Sequence, residues 1–305
     1  GSAVAAQLVP APLLKATPTG WNPIYAVAVD PDAQIVACGR AGRLFLYHVP
    51  TQKLIDRPAA PALAAVAAGL AHTDAVQSIA FSPDGRLLAT GGYRSIKIWR
   101  KNQPEKKSTL DAGGEPLLVA LSPDGTKAAA AFADFAVRLF DVPSGKRLAE
   151  HKDHTAAVVA LRFSADGATL LSASADKTVR VWDIAMREQV LKLQGHEDAV
   201  YSVALSPDGS VVASGGGDKT LRLWETSKGE LIKAIRADAD RVPAAAFAPG
   251  GAMLATTGEL NSVFLWDVTR WEAAALQGRE DITSMATSAD GKLLVTAGFD
   301  RIVRV

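Results

Sequence analysis

An all-β fold of seven small, radially arranged sheets, a seven-bladed β-propeller, is predicted by three observations. A turn built on Pro, Asp and Gly recurs along the chain, beginning at Asp30, Ser82, Ser122, Ser164, Ser206, Ala248 and Ser288. The intervals between these turns are 52, 40, 42, 42, 42 and 40 residues, and each interval holds several apolar runs of strand length. The run before each turn alternates small and large residues. A repeat of this length is a unit too small to bury its own faces, so units must stack on their neighbours and seven of them can close a ring.

The fifth unit shows the elements most clearly. Val200–Leu205, Val211–Ser214, Thr220–Trp224 and Leu231–Ile235 read as four short antiparallel strands separated by Gly, Asp and Ser turns. They are lettered a to d from ring centre to rim. The Ser-Pro-Asp-Gly element suits the a-to-b hairpin, because Pro presets the first turn position and Gly accepts the left-handed conformation from which strand b resumes. In strand a, the position two before the turn holds Ala28, Ala80, Ala120, Ala204, Ala246 and Ala286, while intervening positions are large, as at Ile79, Phe81, Val203 and Leu205. A small face against a neighbour's large face fills the narrow wedge near a propeller axis. Arg162 takes the Ala position in unit four. It reads either as a snorkelling side chain lining the axial channel or as a salt-bridged structural residue, and the structural role is favoured.

Lys plus Arg number 33 against 32 for Asp plus Glu, a balance that argues against nucleic acid or an anionic membrane as partner. Hydrophobic residues are 48% and no signal-peptide pattern or spanning segment is visible, which reads as a soluble globular chain of undetermined compartment. Gly1-Ser2 reads as a remnant of tag removal. Cys38 is the single cysteine, so the chain holds no internal disulfide, cysteine zinc site or C-x-x-C-H haem attachment. No cofactor is expected.

With Gly195-His196 before strand a, Asp218 in the b-to-c turn and Trp224-Glu225 closing strand c, the chain resembles the WD-repeat family over essentially its whole length. The resemblance implies a buried hydrogen-bond network of Trp, Ser or Thr, His and Asp in each blade. The matching residues are Trp224, Ser214, His196 and Asp218 in unit five, and Trp182, Ser172, His154 and Asp176 in unit four. Other units depart from the pattern. Unit two keeps His72, Thr90 and Trp99 but has Tyr93 at the Asp position; unit three keeps Asp134 but has Phe140 for Trp and lacks Ser and His. Units one and six lack His and Asp, and unit seven keeps only Thr296 and Asp300. Blades four and five should therefore be the stiffest, the others relying on packing.

The turn-to-Trp interval of 17 or 18 residues places the closing aromatic of unit seven one position past Val305. Residues 13–17 match the strand d pattern and are expected to complete blade seven, as in the family's ring closure, giving one domain over 1–305. The stop inside a strand reads as a module cut from a longer protein. More weakly, the Ala-rich stretch and the short Gly91–Trp99 segment resemble propeller modules of large bacterial multidomain proteins, some of which carry c-type cytochrome domains.

Ser172, His154 and Asp176 have the residue types of a hydrolase triad, but the same set recurs in unit five with a Trp each time, as a structural network does and an active site does not. Gly215 to Thr220 lacks the Walker spacing and following helix of a phosphate loop. His151 and His154 form the only close histidine pair, and one is committed to the network, so no metal site is expected.

The expected function is that of a non-catalytic scaffold binding a protein or peptide, monomeric as a domain. The d-to-a and b-to-c connections emerge on one face, where Trp21, Arg40, Tyr93, Arg94, Phe135, Phe299 and Arg301 supply the aromatic and Arg composition of an interaction hot spot. Tyr93 and Phe135 have an alternative role, filling gaps left by missing network residues. The ten-residue excess in the first interval, within the Ala-rich stretch from Pro58 to Gly69, falls on the same face. The alternatives are a propeller enzyme, hydrolase or lyase, with its site at the axial channel, and a structural or oligomerisation module.

Overall fold

A computed structural model describes residues 26–30, 34–40, 43–49, 53–54, 76, 78–82, 85–92, 95–100, 106–236, 241–248, 250–258, 262–270, 272–277, 282–287, 294–298 and 303–304. Among these residues there is no helix, and the strands pair into seven antiparallel sheets, each running in chain order. The first sheet holds β1 to β4 (Ala26–Val29, Ile35–Arg40, Arg43–His48, Lys53–Leu54) and the second β5 to β8 (Ser78–Phe81, Leu87–Gly92, Ser95–Arg100, Lys106–Asp111). The third holds β9 to β12 (Pro116–Leu121, Lys127–Phe132, Val137–Asp141, Arg147–His151) and the fourth β13 to β16 (Val158–Phe163, Thr169–Ser174, Thr178–Asp183, Glu188–Gln194). The fifth holds β17 to β20 (Val200–Leu205, Val211–Gly216, Thr220–Glu225, Leu231–Arg236) and the sixth β21 to β24 (Ala245–Phe247, Met253–Thr257, Ser262–Asp267, Ala273–Gln277). In the seventh, β25 to β27 (Ile282–Thr287, Leu294–Gly298, Val303–Arg304) form three strands. Residues 13–17, expected as its fourth, lie outside the described residues, as does the stretch from Pro58 to Gly69.

The recurring turn has one construction. The N–H of its first residue donates to the carbonyl five residues on, at Asp30, Ser82, Ser122, Ser164, Ser206 and Ala248, over 2.8–3.0 Å. In the four serine turns at 82, 122, 164 and 206, the hydroxyl oxygen also accepts the N–H of that fifth residue at 2.9 Å. Asp30 does the same with its carboxylate, accepting from Gln34 and Ile35. The glycine three after the turn start has φ between 66° and 74° at Gly85, Gly125, Gly167, Gly209 and Gly251, the left-handed region that a side chain disfavours.

First strands lie side by side in order, β1 by β5 through β21 by β25, and β25 lies against β1. The described core is a series of layers between consecutive sheets, three of which join the small residue of one first strand to large residues of the next sheet. Ala28 packs with Ile79 and Leu88, Ala120 with Leu161, Leu170 and Trp182, and Ala204 with Phe247, Leu254 and Trp266. The small hydroxyl position four before the turn reaches across as well: the Ser78 hydroxyl accepts from Val119 N–H at 2.7 Å, and Ser202 Oγ–H donates to Val242 O at 3.0 Å. A Cβ on Gly215 would lie 2.6 Å from Val242 Cγ1, so this glycine sets how closely sheets five and six approach.

Arg162 has no salt bridge among the described residues, contrary to the favoured reading of its sequence. Its one hydrogen bond among the described residues runs from Nη1 to Leu161 O, 2.9 Å away, and the side chain is exposed.

Candidate functional site

Of the residues expected on the binding face, Trp21, Tyr93, Arg94, Phe299 and Arg301 lie outside the described residues. Arg40 is the last residue of β2, opposite Arg43. Phe135 sits in the turn between β10 and β11 with φ 66°, its N–H donating to Phe132 O, and is 39% exposed. Lys177 and Lys219 occupy the same turn position in sheets four and five with φ 71° and 67°. Phe135 therefore stands outward in a backbone conformation that is uncommon for a bulky residue, and it does not fill a gap.

Sheets four and five carry the expected buried network. Trp182 Nε1–H donates to Ser172 Oγ at 2.9 Å, and Trp224 Nε1–H to Ser214 Oγ at 2.8 Å. His154 lies 2.8 Å from that Ser172 oxygen through Nε2 and 2.7 Å from Asp176 Oδ2 through Nδ1; for His196, Ser214 and Asp218 both distances are 2.8 Å. Burial lowers each histidine's pKa, outweighing the neighbouring carboxylate that raises it. Burial would raise Asp176 and Asp218, yet hydrogen bonds from Thr178 and His154, and from Thr220 and Glu197 N–H, leave both lowered. An ionised carboxylate only accepts, so Nδ1 carries the proton, Nε2 accepts, and the serine hydroxyl donates to it. Every donor then has an acceptor along Trp, Ser, His and Asp. Both serines are fully buried and their oxygens committed to tryptophan, which suits a fastening rather than a nucleophile.

Strand register locates the same positions in the other sheets. Ser172 and Ser214 correspond to Cys38, Thr90, Ala130, Thr256 and Thr296, which oppose Phe45, Lys97, Arg138, Phe264 and Arg304. Sheets two and six carry the Trp bond, Trp99 to Thr90 at 3.1 Å and Trp266 to Thr256 at 2.8 Å, while His72 of unit two lies outside the described residues. They are thus fastened by more than packing. In sheet three, Ala112 replaces the histidine and Arg138 turns into the space. Its Nη2 lies 2.5 Å from Asp134 Oδ2 and 2.9 Å from Glu150 Oε1, and its guanidinium carbon lies 4.1 Å from the Phe132 ring centroid. The equivalent Arg180 instead donates to Gln189 and to Asp153 O, while His154 holds Asp176. The Arg that recurs at 138, 180 and 222, in the one of these three units whose His position holds Ala112, was the sequence signal for this substitution.

The outer turns are tied within and between sheets. Ala133 N–H donates to Glu115 O, Ala175 N–H to Ala157 O and Gly217 N–H to Ala199 O, joining each b-to-c turn to its d-to-a connection. Lys177 Nζ reaches Glu197 O at 2.8 Å, from sheet four to sheet five.

The family model described as WD domain, G-beta repeat matches residues 67–100, 145–183, 187–225 and 272–305. The chain carries WD repeats. The second and third matches open on β12 and β16, so a WD repeat of the sequence begins with the outer strand of one sheet and ends on the third strand of the next. Among curated proteins, the chain is similar to a periodic tryptophan protein 2 homolog of Neurospora crassa, 28% identical over 40% of this chain and 13% of the relative. It is similar also to WD repeat-containing protein 90 of Xenopus tropicalis, 26% identical over 47% of this chain and 7% of the relative. A WD repeat-containing protein of Synechocystis is 41% identical over 18% of this chain and 17% of its own length. The chain thus matches less than a fifth of each relative's length.

Proposed function

We propose that this chain is a non-catalytic scaffold, a seven-bladed ring completed by residues 13–17, that binds a protein or peptide through the face bearing the b-to-c turns and d-to-a connections. WD-repeat proteins are usually protein-interaction scaffolds, and that class is the starting point. The observation that carries the reading for this chain is Phe135. Where sheets four and five place a lysine, sheet three exposes an aromatic ring at the same left-handed turn position, and an exposed aromatic beside a rigid backbone is a typical anchor at an interface. The hydrogen bonds from b-to-c turns to d-to-a connections support a face presented as one stiff surface.

The experiment is affinity capture from a lysate of the source organism, with three forms of verified fold: the unaltered chain, Phe135→Lys, and Trp21→Ala with Phe299→Ala. Lysine is what the chain itself carries at this turn position, so Phe135→Lys should fold. A partner kept by the unaltered chain and lost by both variants supports the face. Equal capture by all three rejects it.

A further inference from the structure

The first strand of sheet four is a sheet edge: β13 pairs with β14 on one side and, among the described residues, has no strand on the other. Ser164 N–H points to β14, where it meets Thr169 O. Backbone groups alternate along a strand, so the N–H and C=O of Arg162 also point to β14, while Leu161 O and Phe163 N–H point to the open edge that faces the axis. The Arg162 guanidinium holds Leu161 O, which puts it on that axial edge. It is exposed to solvent, partial burial lowers its pKa, and no carboxylate among the described residues offsets this. A side chain exposed to solvent on that edge borders the space enclosed by the seven first strands. The other six first strands carry Ala at this position.

A guanidinium has five N–H donors in a planar fork, never loses its charge, and pairs best with a two-oxygen anion. Arg162 uses one Nη1 bond, to a neutral carbonyl of its own strand, and has no counter-ion among the described residues. We propose that Arg162 makes the a-to-b end of the axial channel a site for a single oxyanion, a carboxylate or a phosphate, with Phe163 N–H available on the same edge. The anion arrives either as a free small ion or as an acidic side chain of a segment entering the channel. This end is opposite the face that carries Phe135, so the site stands whether or not that face binds a partner.

The test is made on the whole chain at constant ionic strength, following the arginine Nε–H signals by nitrogen-15 NMR. The Arg162 signal is the one missing from Arg162→Ala, a variant expected to fold because alanine is the residue of the other six first strands. One titration uses inorganic phosphate, and the other a capped pentapeptide with one Glu among glycines. Saturable movement of the Arg162 signal in either titration supports the site and names the source; calorimetry should then show affinity about tenfold weaker in Arg162→Ala, and weakened also in Arg162→Lys, which keeps the charge without the fork. A signal that stays still in both titrations, or drifts linearly with those of surface arginines, overturns the proposal, as does unchanged affinity in Arg162→Ala.

Discussion

The proton on His154 Nδ1 is set by what surrounds it: a carboxylate that accepts on one side and a serine hydroxyl that donates on the other. The same holds for His196, and both imidazoles have pKa values below their ordinary 6.5. A depressed pKa means that the unfolded chain binds more protons than the folded one, so this stabilisation is complete above about 6.5 and is lost as pH falls toward the folded value. Urea unfolding midpoints should therefore drop between pH 7.5 and 5.5. The drop should be shallower in a His196→Asn variant of lower overall stability. A midpoint that rises on acidification would contradict the assigned protonation. Asp176 and Asp218, also lowered, add a second loss only within the carboxylate range below their ordinary 3.8.

Sheet three illustrates how a whole element adapts to missing residues. Without a histidine or a serine, its acidic turn residue Asp134 is held by Arg138 from strand c, which also lies over Phe132 and meets Glu150. The guanidinium is buried while Asp134 is half-exposed, so the ion pair is partly screened and the ring contact and packing carry much of the effect. Arg138→Met keeps the stem and removes the charge; it should destabilise by about 1–2 kcal/mol, read as a shift in denaturant midpoint. A cycle with Asp134→Asn should show coupling between the two residues. The fastening should persist at pH 5.5, where the histidine networks weaken, because burial would raise the Asp134 carboxyl, yet its partners, Arg138 first, hold it below its ordinary 3.8. Loss of the Arg138→Met effect at that pH would sink this account.

At the scale of the molecule, the unequal fastening of the sheets predicts unequal opening. Sheets four and five combine four-residue networks with the Lys177 link between them, and His151 of β12 stacks on Trp182 of sheet four with ring centroids 4.5 Å apart. Local opening is cheapest where buried contacts and satisfied polar groups are fewest. In hydrogen exchange, the amides of β14, β15, β18 and β19 should be the slowest, with those of β10 and β11 faster and those of β2 and β3 faster still. Uniform protection around the molecule would show that inter-sheet packing, not the networks, governs stability. Apolar layers between consecutive sheets recur from sheet one to sheet six and set the floor of that stability.

Period, turn chemistry and size alternation were legible along the chain because each is local or strictly repeated: Gly at the left-handed turn position, Ala two before the turn's first residue, and Trp 17 or 18 after that residue. The networks of Trp182 and Trp224 were legible for the same reason, as fixed spacings within one unit and the resemblance they support. What the chain could not announce lies between units. Whether Arg162 sat in a salt bridge or in the channel depended on the volume left by the neighbouring sheet and on which strand edge was open, neither of which is a property of its own segment. Whether Phe135 turned inward depended on Arg138 and Phe132 having already occupied the space vacated by a histidine. A side chain's direction follows from the room its spatial neighbours leave, and those neighbours are brought together only when sheet packs on sheet.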